Sequence, residues 1–149
     1  MSYDTARPYL AVFVIIRKQD KIACLLRSGT DWMNGYYGLP AGKVEYGERA
    51  TKGVVREALE KIGVTIKESE LRLMHAVHRK ATDDTDSWVD LIFETEQWEG
   101  EPYNAEPKKH SELAWLDPDN LPDNVLPVLV HVLKQIKDGK VYSEFAWDN

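Results

Sequence analysis

Residues 42–64 of this chain read GKVEYGERATKGVVREALEKIGV, a polar loop followed by a strongly patterned stretch. From residue 50 to residue 62, apolar side chains recur at the spacing of one helix face. They are Ala50, Val54, Ala58, Leu59 and Ile62. Gly63 follows them, at the position where a left-handed residue ends a helix. The segment therefore predicts a glycine-containing loop that leads into a helix over residues 50–62.

Charged side chains on the predicted helix are grouped. Glu57, Glu60 and Lys61 lie at i, i+3 and i+4 and share one face, opposite the apolar residues. Grouped carboxylates are costly unless a positive charge lies among them, and Mg²⁺ often uses one or two protein carboxylates together with substrate phosphates. Such a face suits hydrolysis of a pyrophosphate, in which metal ions neutralise developing charge and activate water. On spacing alone, a solvated helix face with ordinary ion pairs is the stronger interpretation.

The sequence on either side of this segment predicts more strands than helices. The apolar run YLAVFVIIR at residues 9–17 is typical of a central strand covered on both faces. It is followed by a polar turn at 18–21 and a returning strand, so a hairpin is expected. The predicted strands are 9–17, 22–26, 71–77, 88–95 and 112–116, with a polar loop at 80–87 and a second helix at 126–137. We expect one α/β domain over residues 1–149, with a mixed sheet between helices.

Composition and charge exclude several classes of protein. The formal net charge of -6 disfavours a nucleic-acid polymer or an anionic membrane as a partner, because both require a basic patch. Cys24 is the only cysteine, so an internal disulfide is impossible. The segment 1–8 contains no apolar run of signal-peptide length, and no eighteen consecutive residues are apolar. These observations predict a cytoplasmic protein.

The spaced residues of the 42–64 segment resemble a known motif, the Nudix box G-x5-E-x7-R-E-U-x-E-E-x-G-U, where U is bulky and apolar. The matching residues are Gly42, Glu48, Arg56, Glu57, Glu60, Gly63 and Val64. The lead-in YGLPAGKVE at 37–45 and the stretch LAWL at 113–116 also resemble this family, so the resemblance covers most of the chain. It implies the Nudix fold, an α/β/α sandwich with a mixed β-sheet, in which the box forms a loop-helix-loop that binds Mg²⁺ or Mn²⁺.

The resemblance to the Nudix (MutT-like) hydrolase family implies an enzyme that cuts a phosphoanhydride in a nucleoside diphosphate linked to another group. Glu57 looks like the metal ligand that in some members is also the base, and Arg56 would orient it. Glu60 would be a further metal ligand, and Glu48 would help hold the loop or contact the metal through water. Gly42 or Ala41 would offer a backbone carbonyl. The expected substrate is a non-standard nucleoside triphosphate, with ADP-ribose or a nucleotide sugar as the alternative. The implied partner is thus a small nucleotide bound by a monomer or homodimer.

Lys61 departs from the family's pattern, which has a second metal-binding glutamate at this position. Its ammonium lies one helical turn from Glu57, so it would pair with Glu57 and occupy the space of a cation. Three alternatives follow: an active enzyme that uses another acid, a weakly active enzyme, and a nucleotide-binding domain without turnover. Glu106 and Glu112 are the candidates for that other acid, although a solvated acidic loop explains them about as well.

Residues outside the box are expected to select the substrate. Lys43 is a predicted substrate contact, as are Asp123 and Asn124, because Asp and Asn can read a purine edge by paired hydrogen bonds. Asp and Asn are equally common at turns and helix caps. Trp32 could stack on a base, but packing is the stronger interpretation. His110 stands alone in the acidic loop, which gives little support for a substrate contact.

Other conspicuous residues favour structural roles. His75 and His78 lie three apart in a predicted strand, so they should point to opposite faces and make a poor metal pair. Cys24 lies in an apolar strand and is expected to be a core residue, which weakens the alternative of a cysteine-dependent isomerase on the Nudix fold. Arg49 stands where Ser or Thr often caps a helix, at a cost of about 1 kcal/mol. The aromatic segment 142–147 should pack on the domain or on a second subunit.

Overall fold

The computed structural model describes residues 4–81 and 86–148, which form β-strands and two α-helices. The strands are β1 (Tyr9–Lys18), β2 (Lys21–Arg27), β3 (Tyr37–Gly38), β4 (Ala41–Lys43), β5 (Arg72–Lys80), β6 (Ser87–Thr95), β7 (His110–Leu116) and β8 (Tyr142–Phe145). The α-helices are α1 (Ala50–Ile62) and α2 (Pro127–Lys137), and Glu68–Glu70 forms one 3-10 turn. Within these described ranges, no helix has the length and apolar character to cross a membrane. The described ranges do not include residues 1–3, 82–85 and 149. Parts of the predicted 80–87 loop and of the 1–8 segment therefore lie outside the described residues.

Strand β1 is central in the sheet, as its continuous apolar run predicted. One edge pairs in parallel with β6 from Tyr9 to Ile16. The other edge is shared, since its end forms the predicted hairpin with β2 and its start pairs with β4. Strand β2 is then free to pair with β3 and β7, while β5 pairs with β6 and β8. Parallel and antiparallel ladders both occur, which confirms the mixed sheet.

The two helices cover opposite faces of this sheet. Helix α1 packs on even-numbered side chains of β1, represented by Val12 and Val14, through Val54 and Ala58. Helix α2 packs on the other face, where Ile15 shares an apolar cluster with Leu129 and Val132 of the helix. Successive side chains of a strand point to opposite faces, so β1 must be apolar at almost every position. The resulting α/β/α sandwich is the one that the Nudix resemblance implied.

Several observed elements differ from the sequence predictions. Residues 37–38 and 41–43, which were not predicted as strands, form β3 and β4. Strand β8 was not predicted as a strand, and its parallel pairing with β5 shows that the C-terminal segment packs back on its own sheet. These segments have two to four residues, too few to show periodicity, and their pairing partners are distant in the sequence.

Candidate active site

Helix α1 carries most residues of the box, and its boundaries are those predicted. It begins after Arg49, which provides no side-chain cap. It ends at Gly63, whose φ of 69° is left-handed and whose N–H donates to the Leu59 carbonyl at 3.1 Å. The predicted helix faces need one correction: Leu59 is 55% exposed, whereas Glu57 is only 6% exposed. Glu57 is buried because β4 lies against it.

Arg56 joins the box loop to the helix. Its guanidinium donates to both Glu48 oxygens at 2.9 and 3.0 Å and to Glu57 Oε1 at 2.8 Å. It also donates to the Lys43 carbonyl at 3.1 Å. A planar guanidinium is suited to such forked contacts. Hydrogen bonds from Arg56 lower the pKa of Glu48 to about 2. Glu48 thus lies in this ion-pair network, which holds the loop on the helix.

Glu57 keeps one carboxylate oxygen without a hydrogen bond. Oε1 accepts from Arg56, while the buried Oε2 has no hydrogen-bond partner among the described residues. Burial raises the pKa of Glu57, although Arg56 and Lys61 act in the opposite direction. Gly42 faces this carboxylate so closely that a Cβ at position 42 would overlap its oxygens. Glycine is therefore required at position 42 for Glu57 to occupy this place.

Lys61 lies between two carboxylates from different parts of the chain. Its Nζ is 2.7 Å from Glu106 Oε1 and 3.9 Å from Glu57 Oε2. Burial would raise the pKa of Glu106, but the hydrogen bond from Lys61 holds it below its ordinary value. The Glu106 loop is anchored to the end of α1 because the Ala105 N–H donates to the Lys61 carbonyl at 3.0 Å. The ammonium is thus placed where a cation could bridge Glu57 and Glu106.

The two candidates for an additional metal-binding acid, Glu106 and Glu112, lie in different places in the structure. Glu106 is brought beside Lys61 and Glu57, as described above. Glu112 lies exposed on β7, where it accepts a hydrogen bond from the Tyr37 hydroxyl at 3.1 Å. Position in the acidic loop could not distinguish them, because the distinction depends on how the loop folds onto α1.

The donor atoms near Glu57 fit a divalent cation only in part. Within residues 4–81 and 86–148, no group of three or more His, Cys, Asp or Glu side chains is placed to hold a metal ion. Glu48 and Glu106 are engaged by Arg56 and Lys61. This leaves Glu57 Oε2 and the half-exposed Glu60 carboxylate, whose Oε2 lies 3.5 Å from Arg56 Nη1. Two carboxylates suit a hard cation that takes its other ligands from water and substrate phosphates. The residues therefore fit a cation that binds together with a phosphorylated substrate.

A cavity of about 550 Å³ opens beside Gly42, between the sheet and α2. Its volume is typical of a small-molecule site. Apolar residues form most of its wall, and Gly42 belongs both to this wall and to the contact with Glu57. The polar and aromatic residues that line it are Phe13, Arg27, Asp31, Trp32, Lys43, Arg79, Trp88, Asp90 and His110. The cavity and the carboxylate cluster are consequently neighbours.

A buried ion pair forms part of the cavity wall. Arg79 donates to Asp90 at 2.7 and 3.1 Å, and Asp90 is 1% exposed. Burial raises the pKa of Asp90, and Arg79 opposes that change. The Trp88 ring lies between the cations of Lys43 and Arg79, at 5.4 and 5.1 Å from its centroid. Arg79 and Asp90 were not predicted from the sequence, although Asp90 interrupts the apolar run at residues 88–93 of β6, which was an available signal.

Of the predicted substrate contacts, the structure brings one to the cavity. Lys43 lines it, whereas Asp123 and Asn124 do not belong to its wall. The Asn124 side chain donates to the Gly35 carbonyl at 3.0 Å, so it fixes the loop before β3. Asp123 is exposed. The turn and capping interpretation of these residues fits Asn124 better than base recognition does.

Most of the residues that were expected to have structural roles are buried or hydrogen-bonded within the protein. Cys24 is fully buried, and burial raises the pKa of its thiol to about 12. Both ring nitrogens of His75 have partners, the Lys140 carbonyl and the Ser143 hydroxyl, each at 2.8 Å. His78 contacts the Ser87 hydroxyl at 3.1 Å. Trp32 differs, because it is 45% exposed and lines the cavity.

Comparisons with known proteins agree with this geometry. The model of the NUDIX domain family matches residues 7–136. The 8-oxo-dGTP diphosphatase of Escherichia coli (strain K12) is 30% identical over 123 residues, which cover 80% of this chain and 92% of that protein. The chain belongs to the NUDIX family. It is a Nudix hydrolase, an enzyme that acts on phosphoanhydride bonds, and Nudix hydrolases generally use a divalent metal.

Solved structures of Nudix proteins have the same fold. The MutT NUDIX hydrolase from Burkholderia pseudomallei superimposes with a TM-score of 0.78 at 26% identity, covering 87% of this chain and 98% of that one. The MutT protein from Methanosarcina mazei Go1 gives a TM-score of 0.76 at 18% identity, with coverage of 93% and 98%. The second likeness shows the fold alone. The Nudix loop-helix-loop of this chain is the segment that contains β4 and α1.

Proposed function

We propose that this Nudix hydrolase acts on a non-standard nucleoside triphosphate and releases a nucleoside monophosphate and pyrophosphate. The observation that carries the proposal is the position of Gly42, which joins a nucleoside-sized cavity to the Glu57 carboxylate. The similarity to a protein named 8-oxo-dGTP diphosphatase supports a triphosphate over a nucleotide sugar. The nucleoside would lie in the cavity and the phosphates beside Glu57.

The residues around Glu57 have defined roles in this proposal. Arg56 fixes Glu57 Oε1 and leaves Oε2 without a hydrogen bond, so Oε2 can take the proton of an attacking water. Water adds to phosphorus, the P–O bond of the anhydride breaks, and pyrophosphate leaves. A Mg²⁺ or Mn²⁺ ion held by Glu57, Glu60 and the Gly42 carbonyl would supply charge neutralisation and water activation. Lys43, on the cavity wall, adds positive charge near the phosphates.

A nucleotide panel with Mg²⁺ or Mn²⁺, read by release of pyrophosphate or phosphate, tests the proposal. We expect triphosphates to be cleaved, and Glu57→Gln to lower kcat by about 100-fold or more because the proton acceptor is lost. Glu112→Gln is the matched control, since the same change lies on exposed β7 away from Glu57. Faster cleavage of ADP-ribose or a nucleotide sugar than of any triphosphate would replace the proposed substrate class.

The contact between Lys61 and Glu106 favours one other candidate function. An ammonium at 2.7 Å from Glu106 already neutralises that carboxylate, so the chain could bind nucleotides without cutting them. Calorimetry distinguishes the two functions. Nucleotide binding that is unaffected by Mg²⁺ and Mn²⁺, together with no turnover on the panel, would establish the binding role and exclude the hydrolase.

A further inference from the structure

His110 differs from the other histidines of the chain in having a buried ring nitrogen without a hydrogen bond to the described residues. It is 6% exposed, and its Nδ1 is buried without a hydrogen bond to any described residue. His75, His78 and His131 each have a ring nitrogen within 3.1 Å of a protein oxygen. A buried polar atom without a hydrogen-bond partner destabilises the folded state. Such a cost calls for an explanation beyond packing.

The place of His110 suggests what the ring is for. Its side chain lines the 550 Å³ cavity, and so does that of Arg27, its partner on the neighbouring strand β2. Its backbone is fixed on the other side, because the His110 N–H donates to the Glu106 carbonyl at 3.1 Å. Asn104 donates to the His110 carbonyl at 2.7 Å. His110 is thus held rigidly between the nucleoside cavity and the Lys61–Glu106 pair.

We propose that His110 is a substrate-binding residue, which donates a ring hydrogen bond to the α-phosphate, the phosphate that joins the nucleoside to the diphosphate. The proposal rests on the proposed function, which puts the nucleoside in the cavity and the diphosphate beside Glu57. A phosphate between these two positions would meet the wall that contains His110 and Arg27. Nucleotide binding would then give the His110 ring a hydrogen-bond partner on the cavity side.

The electrostatic surroundings of His110 suit this role. Burial lowers the pKa of its imidazole, and the charge of Lys61 acts in the same direction, while Glu106 opposes both. A neutral imidazole has one N–H donor and one acceptor nitrogen. The donor can bind a phosphate oxygen, and the second nitrogen can accept from a ribose hydroxyl or from water. Arg27, held by the Trp32 carbonyl at 2.9 Å, adds a positive charge next to the same phosphate.

The effect of His110→Phe on stability and on binding separates this role from a structural one. Phenylalanine keeps a ring of similar size and removes both nitrogens. We expect the free energy of unfolding to stay unchanged or to rise, because the unpaired polar atom is gone. Calorimetry with dGMP should show about 10-fold weaker binding than in the natural chain, while deoxyguanosine, which lacks the phosphate, should bind equally to both. His110→Asn, which keeps an N–H donor, should recover part of the dGMP affinity.

Matched measurements decide the remaining outcomes. His78→Phe, the same exchange at a histidine that does not line the cavity, should leave dGMP affinity unchanged. Unchanged dGMP affinity in His110→Phe, with turnover on the triphosphate panel intact, would overturn the role of His110 and leave the proposed function standing. If His110→Phe lowers the free energy of unfolding and weakens the binding of dGMP and deoxyguanosine equally, the role of His110 is structural and the proposal is overturned. No dGMP binding and no turnover by the natural chain would overturn both proposals.

Discussion

Lys61 places a positive charge where the Nudix box has a carboxylate, and its contacts indicate what replacing it should do. The ammonium lies 2.7 Å from Glu106 and 3.9 Å from Glu57. Lys61→Glu removes a charge that repels cations and adds a carboxylate, so we expect Mn²⁺ affinity to rise by about 10-fold or more. Mn²⁺ binding measured by calorimetry or electron paramagnetic resonance, without nucleotide, checks this. Lys134→Glu, exposed on α2, controls for net charge.

Turnover measured on the same variants shows what a change in Mn²⁺ affinity means for activity. If the natural chain is active and Lys61→Glu changes its rate little, the site does not need a carboxylate at this position, and Glu106→Gln becomes the decisive variant. If only Lys61→Glu is active, the natural chain is a nucleotide-binding domain with a dormant site. Equal Mn²⁺ affinity in the natural chain, Lys61→Glu and Lys134→Glu would contradict the placement of a cation beside Lys61.

Gly42 is the residue whose side chain, if it had one, would occupy the space of the Glu57 carboxylate. Gly42→Ala should therefore displace Glu57 from Arg56 and lower kcat by about 100-fold, as loss of a positioned proton acceptor does. Gly47→Ala is the contrasting variant, because nothing lies near its added Cβ but its φ of 78° is left-handed. It should cost about 1 kcal/mol of stability with little change in kcat. Steady-state kinetics and urea unfolding of both variants test this pair, and a fully active Gly42→Ala would contradict it.

The ion pair between Arg56 and Glu48 predicts a pH-dependent stability. The folded pKa of Glu48 is about 2, below its ordinary value of 4.5. The contribution is therefore present above about pH 4.5 and is lost as the pH falls towards 2. Glu48→Gln should lower the free energy of unfolding by about 1 kcal/mol near neutral pH, and the difference should shrink at about pH 3. Urea unfolding at both pH values measures it, with the exposed Glu96→Gln as control. A difference that did not depend on pH would argue against this ion pair.

At the scale of elements, helix α1 lacks a side-chain cap and can be stabilised at its start. Arg49 is the N-cap residue, and its guanidinium instead contacts exposed Glu68 at 3.1 Å. Serine at position 49 can accept a hydrogen bond from the first turn, which is worth about 1 kcal/mol. Both variants are best compared in a protein that already carries Glu68→Gln, because the ion pair between Arg49 and Glu68 is then absent from every protein in the comparison. In that background Arg49→Ser should raise the midpoint of urea unfolding, whereas Arg49→Ala should not.

Elements could be predicted from the sequence where their signals are local. The bounds of α1 follow from apolar spacing and Gly63, and the central position of β1 follows from a run that must be covered on two faces. The burial of Glu57 could not be predicted, because the helix pattern alone places it with solvent and only β4 covers it. His110 was considered as a substrate contact with little support, and Asp90 was missed. The cavity wall that they share is built from segments distant in the sequence, so their proximity could not be predicted.

At the scale of the whole molecule, Cys24 is a single internal reporter of unfolding. It lies in β2, is fully buried in the cluster beneath α2, and has a thiol pKa raised to about 12 by burial. Only the thiolate reacts with disulfide reagents, so the folded protein should be inert near neutral pH and labelling should proceed through unfolding. The control, Lys67→Cys combined with Cys24→Ala, should react at once because position 67 is exposed.

A ligand that binds only the folded state slows labelling by a factor of about 1 + [L]/Kd. Added dGMP should therefore protect Cys24 in the natural chain and protect it less in His110→Phe, even though position 110 does not contact the thiol. Rapid labelling of the natural chain without denaturant would show that the sheet opens beneath α2 without global unfolding.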